Sequence, residues 1–346
     1  MAGHVYIGSF TSAGGRGLTA ATVDPDTGAL TALGHTADVP NPSFLARSAD
    51  GRTLYAVSET EPEGAAAAFS LADPAAPRLL GDPVPVHGGS PTHLTVHQGH
   101  LLTANYAAPG SVSVLSLNDD GSLGRVRSVL EHEGDGPDQE RQEAPHAHAV
   151  VTDPSGRWAL SVDLGTDSVR VCELEAGSDE LEIERELGLR SGIGPRHLAF
   201  HPDGAHAYVV NELDSVVTVC RWDADKGSLR PLAETRVVPE DAEGENYPSE
   251  VVVARDGRFA WVANRGHNTI AVLAVDEDGE GLELVDTVSC GGDWPRHLTL
   301  DPSGSRLYAA NERSGDVTWF DVDAATGLPR QAGSLALPAV SCVLFA

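Results

Sequence analysis

The sequence predicts an all-β fold: a seven-bladed β-propeller with four antiparallel strands per blade, closed by pairing of the N- and C-terminal strands, residues 1–346 forming a single domain. Three observations predict it. A strand-turn-strand unit recurs in six complete copies, a seventh copy is split between the two chain ends, and no 3.6-residue apolar period runs for helical length.

Each copy is a short apolar strand, a polar turn and a second strand that alternates with period two and ends on a polar residue. The copies are NPSFLARSADGRTLYAVSE from Asn41, SPTHLTVHQGHLLTANY from Ser90, APHAHAVVTDPSGRWALSVDL from Ala144, GPRHLAFHPDGAHAYVVNEL from Gly194, YPSEVVVARDGRFAWVANR from Tyr247 and WPRHLTLDPSGSRLYAANER from Trp294. The C-terminal LPAVSCVLFA supplies the first strand of the seventh unit. HVYIGSFT near the N-terminus supplies its second, with Tyr6 standing where Tyr55, Tyr208 and Tyr308 stand. Further strand and turn signals lie between copies, such as SVSVLSL then DDGSLG and TIAVLAV then DEDGEG. Four strands in a period of roughly 49 residues suit a propeller blade. Strand exchange between the ends removes an exposed sheet edge.

Composition narrows the function. With 51 acidic and 23 basic residues the net charge is −28, a field that repels nucleic acid and anionic membranes, so neither is expected as a partner. An anionic substrate then needs a local arginine cluster to draw it in. The N-terminus lacks a basic and apolar leader, no run is long enough to span a bilayer, and Cys172, Cys220, Cys290 and Cys342 show no metal or disulfide spacing. A reducing cytoplasm is the expected location, with the chain a monomer or a weak homodimer.

Hairpin pairing places the unusual residues. Across the Pro202-Asp203-Gly204-Ala205 turn, paired numbers sum to about 407, which sets Arg196 opposite Asn211 and beside Glu212. The same rule pairs Ser43 with Ser58, Thr92 with Asn105, His148 with Asp163, Ser249 with Asn264 and Arg296 with Asn311. All these pairs fall at one mouth of the central channel. His146 and His148 alternate on one strand face, with Asp163 as the expected partner of His148, and His197, Arg265 and Glu312 lie next to the ring. Arg196, Arg265 and Arg296 suit a phosphate or carboxylate, although Arg196 and Glu212 also read as a structural ion pair. Glu59, Asp163, Glu212 and Glu312 offer carboxylates to a metal, but the arginines compete for the same space, so no metal and no cofactor is expected. The EGDGPDQERQEAPHAH insertion from Glu131 reads equally as a lid or as disorder, and its Arg141 is within reach of the mouth.

At these residues the chain resembles the lactonase family of seven-bladed propellers, which includes propeller-type 6-phosphogluconolactonases and carboxy-cis,cis-muconate lactonizing enzymes. ERQEAPHAH, DLGTD at Asp163, GPRHLAFHPDG, YVVNEL, VANR at Asn264 and ANYAAPGSVSV carry the resemblance, which covers essentially the whole chain. It implies a catalytic set of His148, Arg196, Glu212 and Arg265, and the ring at the mouth adds His146, Asp163, His197, Asn211, Asn264, Arg296 and Asn105 as expected substrate contacts. The expected reaction is metal-independent hydrolysis of an anionic sugar lactone, with Glu212 or His148 as base and Asp163 orienting it. Cycloisomerisation of a carboxymuconate, or ligand binding without turnover, are the alternatives.

Overall fold

A computed structural model describes residues 3–175 and 177–346, and its sheets form a ring of seven blades. Blade 1 pairs Val340–Phe345 with Gly3–Ser9, then adds Leu18–Val23 and Leu30–Thr36, so the two chain ends close the ring as expected. Blades 3 to 7 each run inner strand to outer strand in chain order, starting at Pro91, Ala147, Pro195, Tyr247 and Pro295. Blade 2 departs from the pattern. Its fourth strand is split into the short pieces Arg78–Leu79 and Val84–Pro85.

Seven apolar clusters lie between facing blades, one at each junction. The period-two alternation explains them, since each middle strand is buried on both faces and hands alternate side chains to the blade before and the blade after. Polar staples add to the burial. The hydroxyls of Tyr6, Tyr55, Tyr208 and Tyr308 donate to carbonyls of the next blade at Pro74, Gly121, Gly279 and Gly28, and the indoles of Trp158 and Trp261 do so at Ala224 and Gly327. The equivalence of these tyrosines in the repeat thus has a shared physical role.

The pairing rule holds along most of each inner hairpin and, in every blade but blade 2, slips by one residue at the mouth. His197 pairs with Val210 as the sum requires, but Pro195 faces Asn211 and leaves Arg196 as the extra residue of a bulge. The same slip leaves Thr92, His148, Arg296 and Ser341 unpaired in their blades, and blade 6 slips between Pro248 and Val251. A bulge kinks the strand and re-aims the extra side chain. Here it marks a ring of residues at the channel mouth.

Candidate active site at the channel mouth

The mouth is built from two repeat positions. One is the bulge residue, and the other is the residue just after the second strand, namely Phe10, Glu59, Tyr106, Glu212 and Glu312, matched in blade 6 by Arg265, the last residue of its strand. Arg196 and Glu212 come from the first and second positions of blade 5, and the Arg196 Nε lies 3.1 Å from Glu212 Oε2. Arg265 of blade 6 donates to the same oxygen at 2.6 Å, while Arg141 donates to Oε1 at 2.6 Å. Glu212 is therefore gripped by three guanidinium groups. Burial alone would push its carboxyl up, but Arg265, Arg196 and Arg141 outweigh that and hold it well below the carboxylate range. Arg196 also donates to the Ser249 carbonyl, and its burial beside Arg265 draws its pKa down to about 9.

Arg141 reaches the mouth because the insertion is folded as a compact loop. Gly136 N–H donates to the Gln142 carbonyl, and the buried Gln142 amide donates to Leu164 O and Asp167 Oδ1. The loop is thus a fixed wall whose arginine completes the cluster.

His148 sits beside this cluster. Its backbone carbonyl accepts from the Thr92 hydroxyl at 2.8 Å, its ring meets Tyr106 edge-on at 5.6 Å, and its Nδ1 is buried without a partner. Burial, and then the charges of Arg196, His197, Arg296 and Arg265, keep its pKa well below 6.5, so the ring is neutral near pH 7. His146 is stacked on Tyr106 at 4.5 Å, with its Nδ1 on the Tyr106 carbonyl and its Nε2 3.3 Å from Glu143.

Two sequence expectations need correction. Asp163 does not orient His148, because its Oδ2 lies 2.6 Å from His132 Nδ1 and 3.2 Å from Arg170, while Oδ1 accepts the His146 N–H. The pairing sum set the two residues opposite each other, but the bulge makes Ala147 the backbone partner of Asp163 and leaves His148 as the extra residue. Asn105, Asn211, Asn264 and Asn311 are fully buried, and their amides donate within their own blades to Ser113, Thr218, Thr269 and Thr318, with Asn264 also donating to Val237 at the end of blade 5. They hold strand ends together and present no surface to a substrate. In each case the residue one place further on faces the mouth.

Arg296 has different surroundings from Arg196. It pairs with Glu312 at 3.3 Å and Glu59 at 3.6 Å and stacks over Phe10. Below the bulge ring lies a second layer, in which His197 contacts Glu250 at 3.0 Å and Phe44 packs on His93 at 4.0 Å. Phe44 and the imidazoles close the channel, leaving between the two layers a space of about 10 Å³. Tyr247 and Trp294 add an aromatic rim, with Trp294 under Arg265 and Arg313. Sequence reasoning missed Tyr106 and this rim. The signal it had was the repeat position after the strand end, which Tyr106 shares with Glu212.

The chain is thus a seven-bladed propeller with one mouth lined by guanidinium groups beside a buried imidazole. A family model described as lactonase, 7-bladed β-propeller, matches residues 4–345, and the chain belongs to this family. It is 34% identical over 346 residues to the 6-phosphogluconolactonase of Bacillus subtilis, covering 98% of this chain and 97% of that protein. Among solved structures it superposes on a periplasmic gluconolactonase of Pseudomonas aeruginosa with a TM-score of 0.92 at 29% identity, covering 100% of this chain and 99% of that one. A Lactobacillus plantarum protein gives a TM-score of 0.93 at 30% identity, with both chains fully covered.

Proposed function

We propose that the chain hydrolyses an anionic sugar lactone, such as 6-phosphogluconolactone, by metal-independent acid/base chemistry at this mouth. The carrying observation is a neutral buried imidazole, His148, with an unpartnered Nδ1 beside guanidinium groups whose shared counter-ion Glu212 is already engaged. Relatives named for gluconolactone chemistry support the substrate class.

Arg141 and Arg265 take the anionic tail, Arg141 being the more exposed of the pair. Arg196 lies deeper and stabilises the oxyanion that forms when water attacks the lactone carbonyl. His148 accepts the proton of that water and returns it to the ring oxygen as the C–O bond breaks, giving the open hydroxy acid. Glu212 is the poorer base, since three guanidinium groups stabilise its ionised form. Its role is to fix the arginines. A bound anion offsets the positive charges that depress His148, raising its pKa toward neutrality as the reaction begins. Both Glu212 oxygens are committed to arginine, which leaves this carboxylate poorly placed to ligate a metal.

The test is decay of freshly made 6-phosphogluconolactone with purified protein. We expect acceleration over spontaneous opening and a loss of about 10²–10⁴ in kcat for His148→Ala. Decay at the spontaneous rate removes the reading, and loss of diene absorbance from a carboxymuconate in its place would assign the mouth to cycloisomerisation.

A further inference from the structure

We propose a second site on the opposite face of the ring, a divalent transition-metal site formed by His201, Asp203 and His206 in the inner hairpin turn of blade 5. The three side chains converge. His201 Nδ1 and His206 Nδ1 lie 3.0 and 2.8 Å from Asp203 Oδ2, and all three atoms lie within 4.8 Å of one another.

Tautomer chemistry gives the cluster its meaning. His201 Nε2 is 3.1 Å from the Gly257 carbonyl, which can only accept, so Nε2 carries the proton. In the neutral ring Nδ1 then turns a lone pair toward a carboxylate oxygen, eased only by a 3.3 Å contact from the Asp203 N–H. Two acceptors at this distance require a cation between them, either a further proton or a metal ion. An imidazole held by its far N–H on a carbonyl is the arrangement that orients a metal-ligating histidine. Asp203 is oriented likewise, its Oδ1 accepting the N–H groups of Ala205 at 2.7 Å and His206 at 3.2 Å.

The fold does not need these imidazoles. In blades 4 and 7 the place of His201 is taken by Asp153 and Asp301, which close the turn by accepting the N–H of Trp158 at 2.9 Å and Arg306 at 3.0 Å. In blade 5 Asp203 has assumed that task, freeing two histidines to face its other oxygen. His206 adds a further sign, because its Nε2 is buried and unpartnered, 3.9 Å from Glu280 of blade 6. With a metal on Nδ1 the ring's proton moves to Nε2, where Glu280, itself paired with Arg221, faces it. Two imidazole nitrogens and one carboxylate oxygen suit Zn²⁺, Co²⁺ or Ni²⁺ better than Ca²⁺ or Mg²⁺. Gly257 and Gly279 of blade 6 pack against the two rings, so blade 6 helps hold the imidazoles in place.

Titration of the full chain with Zn²⁺ and Co²⁺ tests the site. We expect one ion per chain, visible d–d absorption from bound Co²⁺, a melting temperature that rises with metal, and at least a tenfold loss of affinity in His201→Gln or Asp203→Asn, about the scale seen for disturbed metal sites. His201→Gln and His206→Gln should leave turnover at the mouth unchanged, since a six-residue strand of about 20 Å separates the two places. Unchanged metal affinity in the doubly substituted His201→Gln/His206→Gln chain overturns the proposal. So does an NMR spectrum in which His201 stays doubly protonated at neutral pH in the presence of zinc, for then the proton is the bridging cation.

Discussion

The inner hairpins of blades 5 and 7 are near copies in sequence and backbone, yet their charges are arranged in opposite ways. Both place a proline before the bulge, an arginine in it, a histidine after it and an Asn-Glu pair at the exit. In blade 5, three guanidinium groups share one carboxylate, Glu212. In blade 7, one guanidinium, Arg296, is shared by two carboxylates, Glu312 and Glu59. The repeat fixes where a side chain emerges, and the neighbouring blades decide its electrostatic setting. The mouth is accordingly cation-rich from blade 4 to blade 6 and anion-rich from blade 7 to blade 2.

The largest effect expected from breaking this contrast is that of Glu212→Gln. It strands three buried or half-buried guanidinium groups, a change of the kind that costs about 3–5 kcal/mol, and should lower kcat/KM by about 100-fold or more through misplaced arginines. Glu312→Gln leaves Glu59 to balance Arg296 at a more exposed site, and should cost about 1 kcal/mol or less. Thermal melts and lactone kinetics on the two variants check this. Equal losses would show that the two hairpins are electrostatically interchangeable.

The imidazoles sharpen the comparison through pH. Burial holds His93, His148 and His197 well below 6.5, while His297 of blade 7, offset by Glu250, falls to about 4. The folded chain thus binds fewer protons at these sites than the unfolded chain. Their stabilising contribution is complete above pH 6.5 and is lost as pH falls below it. Glu59 and Glu250, raised by burial, oppose this in the window above 4.5, but they are two groups against four. The melting temperature should therefore decline between pH 7 and 5. For the free enzyme, kcat/KM should show no limb centred near 6.5, since His148 is already neutral there, and a pH–rate profile with such a limb would remove it as the base.

Much of this was legible in the sequence, and the rest failed for identifiable reasons. Alternation and turn chemistry suffice for blades and closure, because both are local signals repeated seven times. The pairing sum located Arg196, Glu212 and His148 at one mouth, but a bulge is a single-residue irregularity with no composition of its own. That one residue moved the burden from Asn211 to Glu212 and separated His148 from Asp163. The true partner of Asp163, His132, precedes it by 31 residues at the end of an outer strand, where nothing marks it. Glu250 and Phe44 sat in ordinary strand text, and only closure of the ring brings them against His197 and His93.

A smaller effect separates Gly194 from Trp294, which occupy the same place with φ of +59° and +66°. A bulky residue in the left-handed region costs on the order of 1 kcal/mol. Trp294 offsets that by stacking under Arg313 at 3.3 Å and Arg265 at 5.6 Å, contacts worth about 0.5–1 kcal/mol each. Trp294→Gly should leave the melting temperature nearly unchanged while raising KM several-fold, because a free Arg265 no longer presents a fixed surface. Gly194→Trp should destabilise, since even a Cβ there would lie 2.5 Å from Leu213.

The smallest expected difference is between Tyr208→Phe and Tyr308→Phe, the staples leaving these same two blades. Each loses one hydroxyl bond, to Gly279 at 3.2 Å or to Gly28 at 2.8 Å, and leaves a carbonyl unpaired, for about 1–3 kcal/mol. Their consequences differ by location. Gly279 lies in a blade made of consecutive strands, whereas Gly28 lies in blade 1, whose first strand is held to the ring by pairing of Gly3–Ser9 with Val340–Phe345. Tyr308→Phe should therefore raise hydrogen exchange in Gly3–Ser9 and Leu18–Val23 before the rest of the chain, while Tyr208→Phe should raise it only around blades 5 and 6. Identical exchange patterns would mean that terminal pairing alone, without the tyrosine staple, determines how firmly the ring is closed.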